Sequence, residues 1–187
     1  MALDLHDVPV LVVGGGRVGA RKVAGLAAAG ARVRLVAELI DGAVDRSLLH
    51  DERERPFVDA DLDDVRLVVT ATGDPAVDAA VSAAARARGL WVNAADQPVD
   101  CDFILPAIAR SGRVTAAIST DGTSPALAQA LRDRVGTLLT EAVARLAEEL
   151  AAERADLQCR GRSTEDVDWR PRVTAALDVA LGRRDER

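Results

Sequence analysis

The sequence has no tyrosine, a single lysine (Lys22), one methionine and two cysteines, and aromatic residues make up only 2% of its 187 residues. So few flat side chains leave no stacking platform for single-stranded nucleic acid. Cys101 and Cys159 stand far apart with no CxxC pair or histidine cluster, so neither a disulfide framework nor a metal site is expected. No apolar run approaches the roughly 18 residues needed to cross a bilayer, which predicts no membrane contact. The Met1 to Pro9 start carries acids and a histidine where a signal peptide has a basic flank, which predicts a cytoplasmic protein. With 30 acids against 24 basic residues the net charge is −6, unsuited to a chain whose task is coating DNA or RNA. There is no GxSxG elbow, no P-loop lysine and no HExxH. His6 and His50 fall in no motif and read as surface residues.

What is present is a strong pattern of short apolar strands alternating with helical stretches. Val10 to Val13 is β-branched and runs into three glycines. A helix-compatible segment, Arg17 to Ala29, follows and stops at Gly30. Arg32 to Ala37, Leu67 to Thr70 and Leu90 to Asn93 read as further strands, with a helix from about Pro75 to Arg88. Such alternation predicts right-handed crossovers and a parallel sheet covered on both faces. The fold class expected is therefore α/β, a Rossmann-like doubly wound parallel sheet over residues 1–112. A smaller dimerisation segment, 113–154, and a helical C-terminal tail, 155–187, follow it. Arg113 to Ser119 is one more strand candidate. From Ser124 and Pro125 a single helix is expected to reach about Arg154, with leucines and alanines at three- and four-residue spacing. A stripe of that length needs a partner surface, and a second subunit is the readiest supplier. The tail is expected to form a helix from Arg172 to Leu181.

Gly14, Gly16 and Gly19 form GxGxxG between a predicted strand and a predicted helix, the context in which it binds dinucleotides. Gly14 permits the tight turn, Gly16 lets backbone approach a pyrophosphate, and Gly19 lets helix pack on strand. The helix start at Arg17 and Val18 offers amides and partial positive charge to the phosphates. Glu38, at the end of the second strand, is the candidate for the ribose hydroxyls and favours NAD, although Arg32 and Arg34 on that strand also suit a 2′-phosphate. Thr70 and Thr72 occupy the corresponding place on the next central strand, as cofactor contacts or as helix caps.

Asn93, a candidate cofactor contact, and Asp96, just past the following strand, fall on the same sheet edge. Asp96 reads either as the carboxylate that handles a substrate proton during hydride transfer or as an Asx turn before Pro98. The loop Ser119, Thr120, Asp121, Gly122, Thr123, Ser124 joins hydroxyls, glycine amides and a helix N-terminus, with Arg110, Arg113 and Arg132 flanking it. It is a candidate anion-binding loop, or a tight turn with a cap.

Five segments together carry a resemblance: VLVVGGGRVGARK from Val10, AGARV from Ala29, VTATGDPAV from Val69, VNAADQPVDCDFILPAI from Val92, and AISTDGTSPALAQALR from Ala117. Over about residues 8–135 they resemble the precorrin-2 dehydrogenase family, the siroheme synthase N-terminal domain. The resemblance implies NAD-dependent oxidation of precorrin-2 to sirohydrochlorin, in some members insertion of ferrous iron, and a homodimer. It places the family's active-site aspartate on Asp96 and its substrate loop on Ser119 to Ser124. The family loop usually has a second glycine where Asp121 stands, and two acids where Gly73 and Asp74 stand. Two other readings stay open: a dimeric NAD-sensing module without catalysis, and a chelatase acting on sirohydrochlorin alone.

Overall fold

In a computed structural model, residues 3–182 are described, and they form two compact units that divide after Leu105. The first is a five-stranded, wholly parallel sheet in the order β3-β2-β1-β4-β5. Its strands are β1 (Pro9–Val13), β2 (Arg32–Ala37), β3 (Asp51–Glu54), β4 (Leu67–Thr70) and β5 (Trp91–Ala94). This is the Rossmann-like arrangement expected. Helix α1 (Arg17–Ala28) follows β1, and α2 (Pro75–Ala87) follows β4.

Period-two alternation sorts the strand residues onto two faces. Val10, Val12, Val33, Leu35 and Val69 pack with Val23 and Leu26 of α1 on one face. Leu11, Val13, Val36, Val68 and Val92 pack with Val81 and Ala85 of α2 on the other. Because β1 and β4 are covered on both sides, they read as nearly continuous apolar runs.

Strand β3 has the sequence DERE and was not expected from the sequence. It lies at the sheet edge, where charged side chains guard unpaired backbone. Nearby, fully buried Asp61 receives hydrogen bonds from Arg53, Arg55 and the Val58 amide. Burial alone would raise its carboxyl pKa. The Arg55 and Val58 bonds and that from Arg53 outweigh burial and bring it down to about 2.

The second unit begins with a hairpin of β6 (Ala107–Ser111) and β7 (Val114–Ile118) joined by a two-residue turn, with Gly112 at φ 54. Pairing of β6 with β7 moves the boundary expected at residue 112 to 105. The long helix expected from Pro125 to Arg154 is two helices, α3 (Pro125–Gly136) and α4 (Glu141–Cys159). The break comes where Leu138 and Leu139 make tight i→i+3 bonds to Val135 and Gly136, and Thr140 caps a fresh helix by accepting from the Val143 amide. The tail helix is α5 (Arg170–Ala180), in contact with α4, so the tail belongs to this unit rather than standing apart. Among the described residues no helix is long and apolar enough to cross a membrane.

Candidate cofactor and active site

All five strands of the first sheet run the same way, so the residues following each strand collect on one edge. Val13 is in register with Val36 and Thr70, and Thr70 with Ala94. Gly14, Glu38, Thr72 and Asp96 therefore follow neighbouring strands on that edge. From β2 to β5 is three inter-strand steps, roughly 15 Å at the usual spacing. The glycine turn lies between β1 and β4, where the strand order reverses, which is the ligand position in open sheets of this kind.

The four glycines of the turn have different physical roles. At Gly14, φ is 117 and a Cβ would come within 2.2 Å of the Ala71 carbonyl oxygen. At Gly19 a Cβ would lie 2.0 Å from the Gly14 oxygen, so helix and turn touch only because the side chain is missing. Gly15, outside the fingerprint, is equally constrained: a Cβ would be 2.4 Å from the Leu39 oxygen, and its carbonyl accepts from the Asp41 amide. Gly16 differs, because a Cβ there would meet no protein atom within 4 Å and its φ of −81 suits any residue. What Gly16 leaves open is space outside the protein, directly at the start of α1.

That helix start has no side-chain cap and no acid in its first turn. Among the described residues, the amides of Arg17, Val18 and Gly19 have no partner, and the first helical bond is Ala20 N–H to the Gly16 carbonyl. An uncapped, glycine-cleared helix N-terminus fits a dinucleotide pyrophosphate in both charge and shape. Glu38 is exposed and its carboxylate has no protein partner among the described residues. Asp96 is likewise exposed and unpartnered by hydrogen bonds, with its backbone at φ 60.

In the second unit the loop 119–124 is closed on itself. The Ser119 hydroxyl accepts from the Asp121 amide, and Thr120 Oγ1 donates to the Ser124 carbonyl and accepts from its amide. Thr123 Oγ1 donates to the Thr120 carbonyl, and Ser124 Oγ caps α3 at the Leu127 amide. Asp121 (φ 52) and Gly122 (φ 74) are both left-handed, which explains why a glycine would sit well in place of Asp121.

Comparison with known proteins agrees with this geometry. A family profile described as NAD(P)-binding matches residues 1–107. The chain belongs to this NAD(P)-binding family. It is 43% identical over 155 residues to a siroheme synthase of Methylococcus capsulatus, covering 79% of the chain and 32% of that protein. A siroheme synthase of Zymomonas mobilis is 36% identical over 186 residues, covering 97% of the chain and 36% of the relative. The chain thus spans about a third of the length of these relatives. Among solved structures it is similar to a precorrin-2 dehydrogenase, SirC, with a TM-score of 0.70 at 25% identity, over 98% of this chain and 96% of that one.

Membership in the NAD(P)-binding family does not require every residue expected at the site, and several have other employment. Thr70 is fully buried and its hydroxyl reaches no solvent, so it does not offer the ribose contact expected of it. Thr72 Oγ1 donates to Asp78 Oδ1 and accepts from the Asp74 amide, serving the start of α2. Asn93 is 5% exposed; its Oδ1 accepts from Lys22 Nζ at 3.0 Å and its Nδ2 donates to the Phe103 carbonyl at 2.8 Å. Both ends of that amide are engaged within the protein, and little of the residue faces solvent.

Arg113 sits in the hairpin turn, at the far end of β7 from Ser119, about 20 Å away along an extended strand. There it is bound to both oxygens of Glu148, so it does not join the loop. Arg34 is taken up by Asp51 and by the Asp61 and Asp63 carbonyls, and Arg32 donates to His50 at the opposite end of the strand, which removes the suggested 2′-phosphate site.

Three residues were missed from the sequence. Gly15 was visible only as the middle of GGG. Lys22 and Cys101 carried no motif; the Lys22 side chain comes to Asn93 from α1, and Cys101 comes to it as the loop after β5 turns back. Burial lowers the Lys22 pKa, and electrostatic interaction with Cys101 and Asp96 opposes that shift.

Proposed function

We propose that the protein oxidises precorrin-2 to sirohydrochlorin using NAD, in siroheme or related tetrapyrrole synthesis. The observation that carries this reading is the open start of α1 under Gly16, with two exposed carboxylates, Glu38 and Asp96, that have no hydrogen-bond partner among the described residues, on the same sheet edge. The likeness to a precorrin-2 dehydrogenase over nearly the whole of both chains supports the substrate.

In this reading the amides of Gly16 to Gly19 hold the pyrophosphate, and Glu38 accepts from the ribose hydroxyls, which favours NAD over its 2′-phosphorylated form. Exposed Leu39 beside it offers apolar surface for the base. Bound nicotinamide supplies the hydride acceptor. The chain supplies Asp96, a carboxylate free to take the proton that the substrate releases or to orient a pyrrole N–H. The loop 119–124 offers substrate carboxylates its Gly122 amide and the hydroxyl protons of Ser119 and Ser124, whose oxygens only accept in the loop's own bonds. The active form is a homodimer joined through the second unit, where Ile108, Leu127, Leu131 and Leu138 are exposed. The protein works in the cytoplasm, and ferrous iron is a second substrate only if the same site also performs metal insertion.

Anaerobic absorbance with precorrin-2 and NAD tests this. NADH and sirohydrochlorin should appear in equal amounts, and Asp96→Asn should retain NAD binding while turnover falls by about a hundredfold or more. A protein that binds NAD but yields no NADH sinks the dehydrogenase reading. A parallel cell with ferrous iron reports metal insertion separately.

A further inference from the structure

Lys22 has no part in the activity as described above, yet its placement is specific. It lies on the second turn of α1, about one turn beyond the amides that face the cofactor phosphates. Its side chain reaches the end of β5, 71 residues on, and donates to Asn93 Oδ1 at 3.0 Å. Asn93 can present only one orientation there, because its Nδ2 must face the Phe103 carbonyl and the Cys101 sulfur at 3.6 Å.

Those contacts close the base of the segment that carries Asp96. The Cys101 thiol donates to the Ala94 carbonyl. Asp102 is bound to Val92 twice, once through its carboxylate to the Val92 amide and once through its own amide to the Val92 carbonyl. Residues 95–102 thus form a small loop whose two ends are pinned at Val92, Asn93 and Ala94. Asp96 projects from it in a left-handed backbone conformation that the closed base must sustain.

A methionine would fill the same space between helix and strand without the cost of desolvating an ammonium. Packing therefore gives no reason for a lysine at this position. An ammonium does two things methionine cannot: it fixes the Asn93 amide, and it places positive charge within reach of Asp96.

We propose that Lys22 is a positioning residue, which by holding Asn93 fixes the loop bearing Asp96 relative to the helix that binds the cofactor phosphates. The proposal rests on the dehydrogenase reading for its effect on turnover, but the physical link between α1 and the loop can be tested without it.

The test compares the intact wild-type protein with Lys22→Met, Lys22→Gln and Lys22→Arg. Three readouts apply: NAD affinity by calorimetry, turnover with precorrin-2, and amide hydrogen exchange across residues 92–103. Lys22→Met should keep NAD affinity within about twofold and lose about tenfold or more in kcat, as a small misplacement of a reacting group does. Its amides in 92–103 should exchange faster while those of β1 and β4 stay protected. Lys22→Gln, too short to reach Asn93, should behave the same way and serves if the methionine variant folds poorly. Lys22→Arg, which can still donate to Asn93, should recover most of both signals.

Unchanged exchange and unchanged kcat in Lys22→Met and Lys22→Gln would overturn the proposal. So would a loss of NAD affinity as large as the loss of turnover, which marks a general structural role. A wild-type protein without turnover removes the dehydrogenase reading instead, and loop exchange alone then decides whether Lys22 ties helix to loop.

Discussion

Two junctions in this molecule have the same outline: a strand, a glycine-containing loop and a helix. After β1 the turn at residues 14–16 leads into α1, and after β7 the loop 119–124 leads into α3. At the second, Ser124 caps the helix and every hydroxyl of the loop bonds within the loop or to the helix. At the first there is no side-chain cap, three amides have no partner among the described residues, and a Cβ at Gly16 would meet no protein atom within 4 Å. Helix termini ordinarily satisfy their orphan amides internally. The contrast teaches where a ligand completes the structure and where the chain completes itself. An anion at α1 fills a deficit, whereas an anion at the 119–124 loop meets groups that already hold one another in place.

Substitutions break this comparison in graded ways. Gly19→Ala has the largest expected effect, because a Cβ 2.0 Å from the Gly14 oxygen forces helix and turn apart. The melting temperature should fall steeply and NAD binding should vanish with it, as calorimetry would show. Gly16→Ala should separate the two properties. No protein atom lies within 4 Å of the added methyl, so the fold should survive with a loss under about 1 kcal/mol. NAD affinity should drop about tenfold as the methyl keeps the pyrophosphate from the amides, a titration read at constant folded fraction.

At the self-satisfied junction the pattern reverses. Ser124→Ala should cost about 1 kcal/mol in denaturant unfolding and leave NAD affinity unchanged. Asp121→Gly has the smallest effect and the opposite sign. It relieves a left-handed residue at φ 52 and should stabilise by about 0.5–1 kcal/mol, with a lower KM for a polycarboxylate substrate because an acid leaves the loop. If Gly16→Ala weakened the fold as much as Gly19→Ala, the distinction between a packing glycine and a ligand glycine would fail.

Local signals made the first unit readable. β1, the glycine turn, α1, β2, β4, α2 and β5 follow from apolar runs bounded by glycine, proline and Asp74, and their observed limits lie within a residue or so of those expected. β3 escaped notice because an edge strand of four charged residues has no apolar period, and it is stabilised by ladder bonds to β2 that no local pattern encodes. The division of the long helix was also hidden. Leucine spacing runs through Thr137 to Thr140 without a proline, and the break rests on Thr140 capping a new start.

That Gly16, Glu38 and Asp96 share one edge of the sheet was legible, because position after a strand in a parallel sheet determines the edge on which residues emerge. The surroundings of Thr70, Asn93 and Arg113 were not legible, because position on a strand does not say whether a side chain is buried, engaged or at the far end of a hairpin. Thr70 is enclosed, Asn93 is held by Lys22 and Phe103, and Arg113 is held by Glu148.

By itself the sequence determined the alternation of strand and helix, the parallel sheet it implies, and the dinucleotide turn, since each depends on residues close together in the chain. Only the tertiary structure decided which glycine faces open space, which hydroxyls are already spent, and that Lys22 meets Asn93 and Cys101 near Asp96. Those depend on the free energy of contacts between segments tens of residues apart, and no local period or motif records which partner a buried polar atom will find.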